Sequence, residues 1–445
     1  MCVQTPAFAQ AAAGPLRVCA DNPRYLATRD GRAVYLTGAH TWNNLQDMGP
    51  TDPPAPFDWD AYLDFLERHH HNFVRLWRWE LTRWDTTANG ENLQHVCTPH
   101  PWARTGPGEA HDGKPKFDLT RFDQAYFGRL RERVASAGER GIYVSIMLFE
   151  GWGLQFVPNA LEAHPFHPDN NVNGLNGDVD GDGKGLEIHE LADPRITAVQ
   201  EAYVRKVIGT VNDLGNVLYE ISNENHPPSA AWQYHMIRFI KDAEAGLPQQ
   251  HPVGMTFQYQ GGSNQTLFDS PADWISPNPE GGYTDDPPVA DGRKVVLSDT
   301  DHLWGIGGNR QWAWKSFLRG YNPLFMDPYD GGILSTDPKW EDLRLNLGCT
   351  RRYADRLDLN AARPRPELAS TGYCLAQDDA YLVYLPDGGK VTVDLSALAG
   401  RVAVEWFRPA TGETIGADPV EAGAGVALEA PFEGDAAVYI RAPLP

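Results

Sequence analysis

Short apolar runs in this sequence end repeatedly in acid: Glu80, Glu150, Glu224, Glu280, Asp299 with Asp301, and Asp327. Carboxylates gathered at one rim repel one another and raise each other's pKa, which suits chemistry in which one carboxyl gives a proton while another stays charged. Glycosidic bond cleavage is such chemistry. A protonated carboxyl acts on the leaving oxygen, and a second carboxylate, about 5–5.5 Å away, attacks carbon when configuration is retained. The sharpest segment is Tyr219-Glu220-Ile221-Ser222-Asn223-Glu224, an apolar run closing on Asn-Glu. A partner to it is Leu297-Ser298-Asp299-Thr300-Asp301-His302, where Asp301 shares Asp299's side of the pleat.

The elements that must position these groups are eight apolar runs: 33–42 (AVYLTGAHTW), 73–80 (FVRLWRWE), 143–150 (YVSIMLFE), 217–224 (VLYEISNE), 252–259 (PVGMTFQY), 274–280 (WISPNPE), 294–302 (KVVLSDTDH) and 323–329 (PLFMDPY). Near-continuous rather than alternating apolar runs mark strands buried on both faces, as in a parallel sheet covered by helices. Amphipathic helices are predicted over 59–70, 121–140, 196–214, 231–245, 311–319 and 340–357, with weak or missing helices either side of the sixth run. Eight such units predict an α/β (β/α)8 TIM barrel over residues 19–363, reactive residues lying at the carboxyl ends of its strands. A doubly wound open sheet is the alternative, but the chain has no GxGxxG or P-loop to support it. Asp30-Gly31 marks a hairpin before the first run, placed as a lid on the barrel floor. Beyond Pro364 and Pro366 the text changes to short strands broken by turns, a small antiparallel β-sandwich over 364–445. Residues 1–18 read as a tail or the remnant of a secretory signal, and set the expectation of a secreted or periplasmic protein.

The fourth-run pattern resembles the fourth-strand signature of clan A glycoside hydrolases. The resemblance implies Glu224 as general acid/base and Asn223 as the ligand of the sugar 2-hydroxyl. Strands four and seven of such a barrel face each other across the mouth, so the second carboxylate should end the seventh run. The clan has a Glu there. The shorter Asp299 or Asp301 of this chain implies either a closer backbone or a wider gap with inversion through water; retention is the expectation, with Asp299 ahead of Asp301. Arg75, within NFVRLW, resembles the clan's second-strand Arg, which holds the nucleophile ionised. The phrases DTDHLWGIGG and FMDPYDGG, with the tail, resemble glycosidase-like proteins that carry a collagenase-associated collagen-binding domain.

For sugar subsites the candidates are His40, Trp42, Trp77, Glu80, Glu150, Trp152, His226, Tyr259, His302, Trp304 and Asp327, with packing as the competing role for each aromatic. Trp312, Trp314 and Phe317 are assigned to core packing. A second constellation is NNVNGLNGDVDGDGKGLE. Counted from Asn176, it sets Asp178, Asp180, Gly181, Asp182 and Glu187 at positions three, five, six, seven and twelve of a calcium loop. Such a cation would stiffen a substrate loop and take no part in the chemistry, which needs no cofactor.

Composition narrows the partners. The 38 Lys and Arg against 59 Asp and Glu give a net charge of −21, which repels nucleic acid. Fourteen Trp favour stacking on carbohydrate, and no run approaches a membrane span. Five scattered Cys write neither a disulfide scaffold nor a zinc knuckle, and neither HExxH nor GxSxG occurs. The predicted function is a glycosidase acting on a poly- or oligosaccharide. The alternative is a carbohydrate- or matrix-binding protein that kept the barrel without the activity.

Overall fold

The computed structural model describes residues 12, 14–85, 94–329 and 337–442. The signal-like start with Cys2, and the Asp330-Gly331-Gly332 end of the eighth-run phrase, lie outside them.

Each of the eight runs supplies one strand of a closed, parallel barrel: Gly38–His40, Phe73–Leu76, Tyr143–Glu150, Val217–Asn223, Val253–Thr256, Trp274–Ser276, Val295–Asp299 and Asn322–Met326. They pair in chain order, and the eighth closes on the first. Every residue of all eight strands is buried, which is why they read as apolar runs without alternation. Six helices form where their apolar spacing predicts: Trp59–Arg68, Gln124–Glu139, Pro194–Val211, Ala230–Glu244, Arg310–Leu318 and Trp340–Ala354. Asp58, Asp123 and Asp193 cap the first three, each accepting from a backbone N–H of the first turn. Asp123 sets the second helix later than its periodicity alone suggests, because residues up to Phe122 belong to a β-hairpin of Trp102–Glu109 with Pro115–Phe122. The weak helix after the fifth strand is the short Asn264–Asp269, and the sixth and seventh strands are joined through turns.

The expected hairpin around Asp30-Gly31 forms, Leu26–Ala27 with Ala33–Val34, and it gains a third strand, Arg17–Val18, from the end of the stretch read as a tail. Its Leu26 packs with Leu16 and Leu36 on Phe73, Tyr143, Leu218, Trp274, Val295 and Leu324, closing the barrel floor. The opposite end is built up by the connections leaving the carboxyl ends of the strands, including a sheet of Asp47–Gly49, Gln94–Thr98 and Arg83–Asp85.

In the C-terminal part a six-stranded antiparallel sheet faces a two-stranded one, Lys390–Val393 with Val426–Glu429, over a core that includes Val383, Val391, Val404 and Val438. The edge strand Glu413–Glu421 was not expected; it is almost wholly exposed, so its sequence carries no apolar alternation to announce it. The four described cysteines, Cys19, Cys97, Cys349 and Cys374, are buried free thiols.

Barrel and tail share a core. Trp314, fully buried, stacks on Tyr384 of the tail at 5.8 Å, and Phe407 packs beside both. Next to it Arg310 forms ion pairs with Asp342 of the barrel and the buried Asp435 of the tail, whose other partner is the Tyr384 hydroxyl. Truncating a large buried aromatic leaves a cavity that its neighbours fill only partly. Trp314→Ala is therefore expected to lower the unfolding free energy by about 3–5 kcal/mol in denaturant titrations; a loss below about 1 kcal/mol would mean that the two parts do not depend on this contact.

Candidate active site

Arg75 projects from the second strand into the barrel and is fully buried. A guanidinium can be buried only if its N–H groups find partners of opposite charge, and this one finds several. Nε and Nη2 donate in a fork to Glu220, at 2.9 and 2.7 Å. Nη2 also donates to Asn223 Oδ1 at 2.8 Å, and Nη1 donates to Asp299 Oδ2 and Asp301 Oδ2, at 2.9 and 3.1 Å. The arginine thus gathers the ends of the fourth and seventh strands to one point. Sequence reasoning assigned no role to Glu220; the signal available was a charge in a strand buried on both faces, in step with Ser222 and Glu224.

Asp299 and Asp301 differ in exposure and in partners. Asp299 is 0% exposed, bonded to Arg75 and to His40 Nε2 at 2.9 Å, and it caps the short helix Thr300–Leu303 by accepting from Asp301 N–H. Burial alone would raise its carboxyl, but His40 and Arg75 outweigh burial and hold it well below the usual carboxylate range. Asp301, 7% exposed, is pushed up to about 6 by burial, with Arg75 opposing and Asp299 adding to the rise. Glu224, 8% exposed, is raised well above the ordinary value, first by burial, then by Asp301 and Glu150, against Arg75. Its backbone has φ of 44°, a left-handed conformation that costs a non-glycine residue about 1–3 kcal/mol and persists only where surroundings enforce it. Gln155 donates to its carbonyl, and Asn225 donates to Ser222 Oγ behind it. The group therefore sets Glu224, pushed towards its protonated form, beside Asp299, pushed towards its ionised form, with Asp301 between them.

Asn223 is oriented by its neighbours. Its Oδ1, which can only accept, takes bonds from Arg75 Nη2 and from His302 Nε2 at 3.1 Å. His302 therefore carries its proton on Nε2, and its Nδ1 accepts from the Ser276 hydroxyl at 2.7 Å. Asn223 Nδ2 is left buried with no partner, a donor held in reserve next to Glu224. Ser276 was not singled out from the sequence.

The remaining candidates divide. Glu80 lies between His164 and His189, at 3.1 and 3.0 Å, and accepts from Glu150 N–H; burial would raise it, but Arg78 and the two histidines hold it well below the usual range. Glu150 has only backbone N–H donors, chiefly Gly153, and is pushed up to about 8 by burial, with Glu80 adding. A Cβ on Gly153 would lie 2.7 Å from Glu150 Oε2, so a side chain there would displace the Glu150 carboxyl from its N–H donors. Asp327 is buried in a forked ion pair with Arg344, and Glu280 sits exposed on the loop after the sixth strand, accepting from Asn264 N–H. His226 is bonded to Glu190 at 2.8 Å. His40 stacks on Trp77, which opens an aromatic wall through Trp42, Trp79, Trp84 and Trp152 to Phe156 and Tyr259. Trp77 and Trp79 are packing residues within it, Trp152 and Tyr259 are half-buried, and Trp304 is exposed.

Of the predicted calcium ligands, Asp178, Asp180 and Glu187 bring carboxylate oxygens within 4.8 Å of one another. Gly181 takes φ of 80°, as the sixth position of such a loop demands, and Glu187 Oε2 has no hydrogen-bond partner. The Asn176 side chain accepts from Asp178 N–H, and Asp182 engages Lys184. Calcium takes a backbone carbonyl at position seven, so the side chain of Asp182 is free for that role.

A family model described as "Domain of unknown function (DUF6298)" matches residues 95–258, and one described as "Putative collagen-binding domain of a collagenase" matches 368–437. No curated protein matches the chain. A glycoside hydrolase family 5 protein from Bacteroides vulgatus ATCC 8482 is similar in structure, with TM-score 0.62 and 13% identity over 97% of this chain and 94% of its own. Another solved structure, described as "Glycoside hydrolase", has TM-score 0.57 and 12% identity over 97% of both chains. The likeness is one of fold: this chain has a (β/α)8 barrel like those of these two structures, followed by the matched β-rich tail.

The raised carboxyl of Glu150 links the site to stability. Its folded value lies above its ordinary 4.5, so its contribution is complete below that pH and is lost as pH rises towards about 8. Glu150→Gln keeps an acceptor for the Gly153 N–H and has no proton to lose. Denaturant titrations at about pH 5 and about pH 8 are expected to move the stability difference in favour of the variant at the higher pH. A difference that stays constant would mean that Glu150 ionises like an exposed carboxyl.

Proposed function

We propose that the protein is a retaining glycosidase acting on O-glycosidic bonds of a poly- or oligosaccharide, with Glu224 as acid/base and Asp301 as nucleophile. The observation that carries the reading is the pairing of a neutral Glu224 with an ionisable Asp301 beside the unsatisfied amide donor of Asn223. Asp301 is preferred to Asp299 for two reasons. Asp299 is enclosed and occupied by His40, Arg75 and a helix terminus, and Asp301 is the charged neighbour with the greatest effect on Glu224.

In the first step Glu224 gives its proton to the leaving oxygen while Asp301 attacks the anomeric carbon, and the glycosidic bond breaks as the ester bond forms. In the second, Glu224 takes a proton from water, whose oxygen displaces Asp301 and restores the free carboxylate. Asn223 Nδ2 donates to the sugar hydroxyl next to the reacting carbon. Arg75 positions Asp301 and Asn223 and favours the charged form of Asp301; Asp299 and His40 fix Arg75. The aromatic wall from Trp42 to Tyr259 supplies stacking surface for further sugar units. A site of action outside the cytoplasm suits a polymeric substrate, and no helix among the described residues is long and apolar enough to cross a membrane.

On a panel of aryl glycosides, Glu224→Gln is expected to lower kcat by about 10²–10⁴-fold where the leaving group needs protonation. Asp301→Asn is expected to abolish turnover, and kcat/KM should fall as pH drops below about 6, where Asp301 takes up its proton. Activity that survives Asp301→Asn but not Asp299→Asn would move the nucleophile to Asp299. A parent protein that binds glycans and cleaves none would replace the enzyme by a binding protein on a glycosidase fold.

We further propose that the 176–187 loop holds calcium through Asn176, Asp178, Asp180, Glu187 and the residue 182 carbonyl, stiffening the long connection between strands three and four. Ligand binding to the folded state alone stabilises by about 2.7 kcal/mol at a hundredfold excess over Kd. Calcium should therefore raise Tm in the parent and leave it unchanged in Asp180→Asn; equal melting of both, with calcium or with chelator, would remove the ion.

A further inference from the structure

Among the described residues, apart from the barrel mouth and the acidic loop, one group of side chains has the composition of a metal site. His111, His167 and Asp169 bring a ligand atom each within 4.8 Å of one another. The two imidazole rings meet edge to face at 4.5 Å, and His111 Nε2 lies 3.6 Å from Asp169 Oδ2. His111 and Asp169 are exposed and His167 is half-buried, so the group opens to solvent on one side.

The ligands come from two segments that are already fastened together. His111 sits in the turn of the hairpin formed by Trp102–Glu109 and Pro115–Phe122, and that turn is fixed by Ala110 N–H to Lys114 O and by the Arg104–Asp112 ion pair. His167 and Asp169 sit in the connection after the third strand. Asn170 is buried there, and its side chain accepts from His111 N–H at 2.8 Å. Its carbonyl accepts from Phe117 N–H, and Val172 N–H returns a bond to Phe117 O. Asn171, also buried, closes the loop by donating to Pro165, His167 and Leu175 carbonyls. The three side chains are therefore presented by a frame that need not form when a ligand arrives, which lowers the entropic cost of binding.

We infer that His111, His167 and Asp169 form a surface site for a divalent transition metal of the zinc class. Two imidazoles and one carboxylate are borderline ligands that suit zinc, cobalt, nickel or copper over calcium or magnesium, and bond lengths of about 2.0–2.2 Å need only a small inward movement of the exposed side chains. Asp169 N–H donates to His167 Nδ1 at 3.1 Å, and a metal bound through that nitrogen replaces this long bond. Three protein ligands leave positions for water. The ion clips the 102–122 hairpin to the connection after strand three, both of which leave the barrel at its carboxyl end, and its composition separates it from the all-oxygen set of Asp178, Asp180 and Glu187.

The probe is cobalt(II) added to the full chain, followed by its visible absorption and then by displacement with zinc. One equivalent should produce a band that excess calcium leaves in place and zinc removes. In His111→Ala and in His167→Gln the affinity should fall at least about tenfold, since even loss of an outer partner of a metal ligand costs 10–100-fold. Both substitutions lie at exposed or half-exposed positions, and far-UV circular dichroism of the metal-free variants should match the parent. Zinc should raise Tm in the parent and not in the His111→Ala, His167→Gln double variant. Isotherms that superpose for parent and variants, a band that calcium abolishes, or no cobalt binding by the parent would each overturn the site.

Discussion

The burial of one guanidinium inside the barrel is the constraint on which the site depends. Arg75 carries a single positive charge, yet Glu220, Asp299 and Asp301 all direct carboxylate oxygens at it. One charge cannot neutralise three carboxylates. Asp299 and Glu220 have the close, charge-assisted bonds, Asp301 is left with the longest of the contacts and an intermediate affinity for its proton, and Glu224, which has no contact with Arg75, becomes the place where ionisation is least favourable. Asp299 is held lowest because His40 joins Arg75 on it, Asp301 has Arg75 against burial, and Glu224 has burial and neighbouring acids that outweigh Arg75.

The same logic recurs one strand away. Glu80 and Glu150 are both fully buried and differ in the same sense: Glu80 has Arg78 and two histidines, whereas Glu150 has backbone donors only. One is held charged and the other neutral. The neutral Glu150 faces the mouth, where it adds to the rise on Glu224.

How much of this was legible from the sequence depends on whether a residue's role is local. The barrel strands were, because burial on both faces leaves a mostly apolar run without strict alternation, and all eight runs became strands. The meeting of the fourth and seventh strand ends followed from strand order in a closed barrel, and the place of Arg75 between them from its resemblance to the second-strand arginine of the clan. Glu220 was not legible, since a charged residue in such a run gives no sign of which distant side chain satisfies it. Nor were the hairpins between strands two and three, short pairings in which only a few side chains such as Trp102, Phe117 and Leu119 turn inward, or the Glu413–Glu421 edge strand, whose side chains mostly face water. The choice between Asp299 and Asp301 was invisible for another reason: it turns on a helix that begins at the strand end.

That helix accounts for an aspartate in a position where the resembled clan has a glutamate. Asp299 ends the strand, and its carboxylate turns back to accept from Asp301 N–H, so the strand-end acid is committed to the backbone and to His40. Capping bends the chain into Thr300–Leu303, and the bend brings the residue two positions later, Asp301, back over Arg75 with one oxygen at 3.1 Å. A side chain one methylene shorter than glutamate thus reaches the mouth from a backbone that has already left the strand. His302, the next residue on the same turn, reaches Ser276 and Asn223 and sets the amide beside Glu224. On the proposed reading, a single capped turn supplies both the charge and the orientation that the fourth strand needs, and Asp299 contributes by holding that turn in place.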